Sequence, residues 1–178
     1  MDLAAELLRE HSARQTQRLV RYVNARTAHL SELVDLVTGP PNRVSQLAAE
    51  ILGWCAEQQP KRLRPHLPRL LPLLGPTGHH VAVRRGIARA LQFVPVPDDL
   101  QAETFDRSLE LLGSDSEAVA VKAYLLTVLT NLARLHPDLA TEVLLVLEPQ
   151  LPYAPPSLRS RATNSIPVLQ QLARATTH

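Results

Sequence analysis

Cysteine is almost missing from this chain of 178 residues, and the single Cys55 excludes an internal disulfide. A fold held by bridges is ruled out, and a reducing compartment is expected. Aromatic residues make up 3% and lysine is nearly absent, which leaves little of the stacking surface and clustered cation that a nucleic-acid binder uses. The six glycines are dispersed, so no phosphate-cradling loop is assembled. No apolar run approaches the ~20 residues of a membrane span. The opening Met1-Asp-Leu-Ala-Ala-Glu-Leu-Leu-Arg-Glu10 lacks the basic start and apolar core of a signal peptide. A soluble, cytoplasmic protein without membrane contact is expected.

What the chain has is leucine, alanine and arginine, all strong helix formers, within a hydrophobic content of 45%. That suffices for a domain removing roughly 70% of its unfolded surface from water, with no metal needed to hold it. The net charge of +2 is unevenly spread. Residues 1–26 carry five basic against three acidic side chains, 27–99 eight against six, 100–149 three against eight, and 150–178 three against none. An acidic segment inside a mildly basic protein bears on partners rather than on fold.

The chain says nearly the same thing twice between Leu63 and Leu135. Leu67-Pro-Arg-Leu-Leu-Pro-Leu-Leu-Gly75 precedes a helical run through Val83-Arg84, Ile87 and Leu91. At an offset of 38, Leu71 maps to Leu109, Leu74-Gly75 to Leu112-Gly113 and Val83-Arg84 to Val121-Lys122. A period of this length marks stacked helical hairpins. Shifting the second-helix core back by 39 carries Val83, Ile87, Leu91 and Val94 onto Val44, Ala48, Leu52 and Cys55.

Taken in order, Leu3, Leu7 and Leu8 mark a first helix, and Thr16, Leu19, Val20 and Val23 give the i, i+3, i+4, i+7 spacing of a second. Leu30, Leu33, Val34 and Val37 form the next, stopped by Gly39-Pro40-Pro41, and the Val44 to Cys55 stripe ends before Pro60. Pro65, Pro68 and Pro72 predict a kinked or partly irregular helix packed through Leu67, Leu70, Leu71 and Leu74. Gly75-Pro-Thr-Gly78 is read as a turn, 81–94 as a helix, Ser114-Asp115-Ser116 as turn and N-cap, and Glu117 as part of the following first turn. A fifth unit runs through Leu144, Leu145 and Leu147, and a last helix through Arg161, Ala162, Ile166, Leu169 and Leu172, kinked at Pro167. The expectation is one all-α domain, a right-handed superhelical solenoid of about five hairpins at 1–26, 27–60, 61–98, 99–137 and 138–178.

Leu67-Pro68-x-x-Leu71-x-x-Leu74, a turn, then Val83-Arg84-x-x-Ile87-x-x-Ala90-Leu91 resembles the HEAT repeat, a helical-hairpin class overlapping with armadillo-like repeats. The resemblance implies a non-catalytic scaffold that binds other macromolecules on a curved surface, and it transfers no catalytic residue. It also implies a ladder between a turn Asp and the cation of the next helix, which Asp115 and Lys122 fit, whereas Ser45 replaces the cation in the second unit.

Arg84, Lys122 and Arg161 fall at equivalent positions and are read as inter-repeat hydrogen bonds with packed stems. Helical geometry turns Arg85, Arg89 and Gln92 outward, and Arg14, Arg18, Arg21, Gln46 and Glu50 with them. The candidate partner surface is therefore Arg14, Arg18, Arg21, Arg85 and Arg89, suited to a protein with an acidic surface. Trp54 and Phe93 are expected between helices. His79-His80 diverge, His11, His29, His66 and His136 lack Cys or carboxylate partners, and Cys55 is a core position, so no metal, cofactor or catalytic role is assigned. Asp98, Asp99 and Asp115 are read as helix-start residues. The alternative is a nucleic-acid backbone binder resembling the HEAT-like DNA alkylation repair proteins. A third reading, an enzyme accessory or pigment-lyase-like module, has no supporting residue.

Overall fold

Short polar side chains start the first helices. In the computed structural model, which describes residues 1–75 and 78–176, Asp2 Oδ1 accepts the Ala5 N–H at 3.1 Å and opens α1 (Leu3–Arg9). Ser12 Oγ accepts the Gln15 N–H at 3.1 Å and opens α2 (Ala13–Ala25). Each cap satisfies a donor that the helix start leaves unpaired, worth about 1 kcal/mol. After α3 (Thr27–Thr38), α4 (Arg43–Gln58) begins with a reciprocal pair. Asn42 Oδ1 accepts the Ser45 N–H at 3.0 Å while the Asn42 N–H donates to Ser45 Oγ at 3.2 Å. Ser45, standing where later repeats carry a cation, thus serves the helix start.

Prolines shape the next stretch. α5 (Pro60–Leu63), a 3-10 turn (Arg64–His66), α6 (Leu67–Leu70) and a second 3-10 turn (Leu71–Leu74) follow without a gap, the irregular helix that the sequence predicts. Pro65, Pro68 and Pro72 share one exposed side, whereas Leu63, Leu67, Leu70, Leu71 and Leu74 are buried. The donors lost to proline therefore fall on the solvent side, where water serves the orphaned carbonyls. Of the expected turn at 75–78, Pro76 and Thr77 lie outside the described residues. α7 (Val81–Leu91) is shorter than the predicted 81–94, and its last turn closes with the Phe93 and Val94 N–H groups on the Ala90 carbonyl.

The chain divides into two compact units, Met1–Pro97 and Asp98–His178. In the first, α4 packs on α1, α2, α3 and, most closely, α7. Leu47, Ala48, Ile51, Leu52 and Cys55 of α4 are buried with Val83, Ile87, Leu91 and Val94, the equivalent stripe; Val44 is half-buried. Each fully buried leucine or isoleucine contributes about 1.5–3 kcal/mol. Leu8 is exposed, so α1 turns only Leu3 and Leu7 inward.

The second unit comprises α8 (Asp98–Gly113), α9 (Val119–Leu135), a 3-10 turn (Pro137–Leu139), α10 (Ala140–Leu147), a 3-10 stretch (Glu148–Tyr153) and α11 (Pro156–Ala175). α9 is flanked by α8 and α11, and α10 packs on α11 and α8. Two expectations are corrected here. α9 begins at Val119 behind Ala118, so Ser114, Asp115 and Ser116 do not cap it; Glu117 lies outside its first turn and accepts the Ala118 N–H at 2.8 Å. α10 buries Ala140, Val143 and Leu147 and leaves Leu145 69% exposed, because only one face of an almost wholly apolar helix meets neighbours. The last helix runs through Pro167, which is exposed on its surface.

All regular structure among the described residues is helical, as expected. The tightest contact is between α4 and α7. A Cβ at Gly86 would stand 2.5 Å from the carbonyl carbon of Ala49 and 2.8 Å from its Cβ, so the backbones touch where a side chain has no room. Gly86→Ala gains about 1 kcal/mol of helix propensity, but forcing the two backbones apart costs about 1–3 kcal/mol or more. The expected outcome is a lower denaturation midpoint for Gly86→Ala, while Gly113→Ala, whose nearest neighbour is a movable Val146 methyl at 3.4 Å, leaves the midpoint unchanged or raised. Urea unfolding of the two variants beside wild type checks this, and an undiminished midpoint for Gly86→Ala contradicts it.

Candidate functional site

Glu50, Trp54, Glu57 and Gln58 lie three or four residues apart on α4 and so share a face, opposite the buried Ala48, Leu52 and Cys55 stripe. Trp54 is 39% exposed and Phe93 is also exposed, so neither packs between helices as their residue type predicts. Trp54 is placed on the outward face by helical period, away from the buried stripe of α4. Together with Glu50 and Gln58 it lines one wall of a cleft of about 390 Å³, whose other wall is Ala13, Thr16, Gln17 and Val20 of α2. His11 closes one end, its Nε2 accepting from Arg43 Nη2 at 3.0 Å.

Arg89 crosses from α7 onto this face. Its guanidinium carbon sits 3.4 Å from the Trp54 ring centroid and its Nη2 donates to Glu57 Oε2 at 2.7 Å. The side chain is only 18% exposed. Its stem runs over Gly53, where a Cβ would meet Arg89 Cδ at 3.0 Å, so the missing side chain gives the guanidinium its path to the ring. A stacked and ion-paired guanidinium is held in one geometry by forces of about 0.5–2 kcal/mol for the ring contact alone.

The five arginines of the candidate surface divide by partner. Arg18 is drawn to α1, where its Nη1 donates to Glu6 Oε2 at 3.0 Å. The Gln15 hydrogen bond to Glu6, with Arg18 and Arg9 nearby, holds that carboxyl below its usual range. Arg89 is held by Glu57. Arg14, Arg21 and Arg85 are exposed and, among the described residues, have no acidic partner. Arg14 and Arg21 lie about 40–60° around α2 from the cleft residue Gln17, at its rim, and Arg85 lies one turn before Arg89 on α7.

The row Arg84, Lys122 and Arg161 is engaged in packing. Arg84 Nη1 donates to the His79 carbonyl at 2.8 Å, and Arg161 Nη1 to Thr127 Oγ1 at 2.9 Å. Lys122, 7% exposed, donates to Gln150 Oε1 at 2.8 Å; Gln150 Nε2 in turn donates to the Leu112 and Val146 carbonyls, tying α8, α9 and α10 together. Burial holds the Lys122 ammonium below its usual range, opposed by Asp115 and Glu117. Asp115 therefore acts on Lys122 through space, while Gln150 takes the hydrogen bond. His80 Nδ1 accepts the Ala82 N–H at 3.1 Å, which gives the second of the paired histidines a capping role. Cys55 is buried and its thiol is pushed up to about 12 by desolvation, against a smaller pull from Arg62, so it is protonated at neutral pH and a poor nucleophile. Among the described residues, no three His, Cys, Asp or Glu side chains converge as a metal site, and no helix is long and apolar enough to cross a membrane.

Residues 3–167 match the model of a family described as the HEAT repeat domain. No curated protein and no solved structure matches the chain.

Trp54 is the only tryptophan, so its emission reads this site alone. Arg89→Ala should expose the indole ring, moving its emission to longer wavelength and making it more readily quenched by iodide, with a stability loss of about 1–2 kcal/mol from the lost stack and ion pair. Unchanged emission and quenching would show that the stack is absent in solution.

Proposed function

The chain belongs to the HEAT-repeat family, whose repeats in general mediate protein–protein interaction or scaffolding, and from that premise we propose a non-catalytic module that docks a protein with an acidic surface. The docking face is the α2, α4 and α7 side of Met1–Pro97. The observation that carries the proposal is the exposed Trp54 under Arg89 at the mouth of a cleft. Tryptophan and arginine are the residue types that dominate binding hot spots, because a rigid, amphipathic side chain held in place loses little entropy on docking. Arg14 and Arg21 at the cleft rim and Arg85 one turn before Arg89 add charge that has no acidic partner among the described residues, and such charge steers an acidic partner and sharpens its choice. A cytoplasmic setting suits a chain whose single cysteine allows no internal disulfide.

The nucleic-acid alternative gains one feature from the fold, an aromatic beside an acid in the cleft, Trp54 with Glu50. Against it, Arg89 already covers a face of the Trp54 ring, and Glu50 and Glu57 place two carboxylates where a phosphate track would run. The readings separate by salt, since phosphate binding weakens steeply with ionic strength through counterion release.

Partners recovered from native extract, with and without nuclease, supply the ligands for the test. Arg14→Glu, Arg21→Glu and Arg85→Glu combined should weaken binding by about 1–3 kcal/mol, mostly through slower association. The melting curve should stay close to wild type, because exposed charges contribute little to folding. Arg107→Glu on α8 is the control and should change neither. Retention of every recovered partner at wild-type affinity by the triple variant, at low salt where the effect is largest, overturns the proposal.

A further inference from the structure

The acidic segment, read by itself, builds a second surface of opposite chemistry. α8 carries Asp98, Asp99, Glu103, Asp106 and Glu110 against one cation, Arg107, which is tied to Glu103 at 2.9 Å. Along one side of α8, Asp98, Gln101, Ala102, Phe105 and Asp106 border a groove of about 670 Å³. Its opposite side comes from the end of α9 and the following turn, through Leu132, Leu135 and Leu139. Leu135 is 62% exposed there, with Ala102 also exposed and Phe105 and Leu132 beneath. A leucine left in water at the end of an otherwise well-buried helix is uncovered apolar surface, and the groove gives it definite boundaries.

The rim is anionic and held in place. His136 Nε2–H donates to Gln101 Oε1 at 2.6 Å, and Gln101 Nε2 donates to Asp98 Oδ1 at 3.2 Å, so one wall is a fixed polar chain ending in a carboxylate. Asp106 and Asp138 are exposed and, among the described residues, have no cationic partner. Asp98 and Asp106 are eight residues apart on one helix, about 12 Å along its axis, with the apolar floor between them.

We infer that this groove docks an amphipathic helical segment of a partner protein, one that lays apolar side chains on Ala102 and Leu135, above the buried Phe105 and Leu132, and sets arginine or lysine about two turns apart against Asp98, Asp106 and Asp138. The occupant is fixed by complementarity. The carboxylate spacing along α8 matches that of side chains seven or eight residues apart on a docked helix. The acidic rim repels nucleic acid and anionic lipid, and the apolar floor rewards a helix with an i, i+3, i+4 stripe. Nothing in this inference depends on the arginine face, which lies in the other unit.

The test uses the full chain and a fluorescein-labelled sixteen-residue peptide with leucines at i, i+3, i+4, i+7 spacing and flanking arginines about two turns apart, beside the same peptide with glutamates for arginines. The arginine peptide should bind, and the glutamate peptide should bind at least about tenfold more weakly, by anisotropy. Asp106→Arg with Asp138→Arg should weaken the arginine peptide about tenfold, and Leu135→Ser severalfold, with melting curves unchanged because all three side chains are exposed. Should the double variant melt early, Leu135→Ser alone decides. Hydrogen exchange should show peptide-dependent protection within 98–106 and 132–139. Equal binding of both peptides, no binding, indifference to the substitutions, or protection confined to residues 1–97 each overturns the inference. None of these variants alters α2, α4 or α7, so this reading and the arginine-face reading fail separately.

Discussion

The first unit depends on how close two helix backbones can come. Gly86 lets α7 rest on the Ala49 carbonyl of α4, and every side chain one turn along inherits that spacing. Gly53 leaves the notch through which the stem of Arg89 passes, and only at this separation does the guanidinium reach both the Trp54 ring and the Glu57 carboxylate. The packing of α4 on α7 also accompanies the burial of Ala48, Leu52 and Cys55 on one helix and of Val83, Ile87 and Leu91 on the other, so the core and the surface pair share one seam. Small residues at the seam are thus a condition for the site as well as for the fold.

Electrostatics then distinguishes what each unit offers. In Met1–Pro97 the exposed cations Arg14, Arg21 and Arg85 have no acidic partner among the described residues and Trp54 is exposed, whereas α8 carries carboxylates along a groove that holds the exposed Leu135. The two proposed surfaces share one physical logic, in which an apolar anchor would supply affinity and a rim of one sign direction. Members of a repeat family differ mainly in what their helices display, since the inward stripes are set by packing.

The helices and their inward faces were legible in the sequence because the core recurs at a fixed period. Leu74 and Leu112, Val83 and Val121, Ile87 and Leu125 are buried in matching pairs, as the 38-residue offset requires. The fifth repeat was less legible: the run from Val143 to Leu147 is apolar at every position, so no periodic contrast tells Leu145 from Leu147. Trp54 carries two opposed signals, since its type argues for burial while its spacing from Glu50 argues for exposure, and spacing prevails. The partners of Arg18 and Arg89 are Glu6 and Glu57, on other helices, and the closeness of Gly86 to Ala49 is tertiary in the same way. Those facts leave no local trace in the chain.

The central claim is that the α4 and α7 seam positions the Trp54–Arg89 pair, and Gly53→Ala tests it most directly. The added methyl gains about 1 kcal/mol of helix propensity and meets only the movable stem of Arg89, at 3.0–3.3 Å, so the fold should survive with its melting temperature nearly unchanged. Trp54 emission should nonetheless shift in the same direction as in Arg89→Ala, and adding Gly53→Ala to Arg89→Ala should shift it no further. An unaltered Trp54 signal in Gly53→Ala, with the protein folded, would contradict the account.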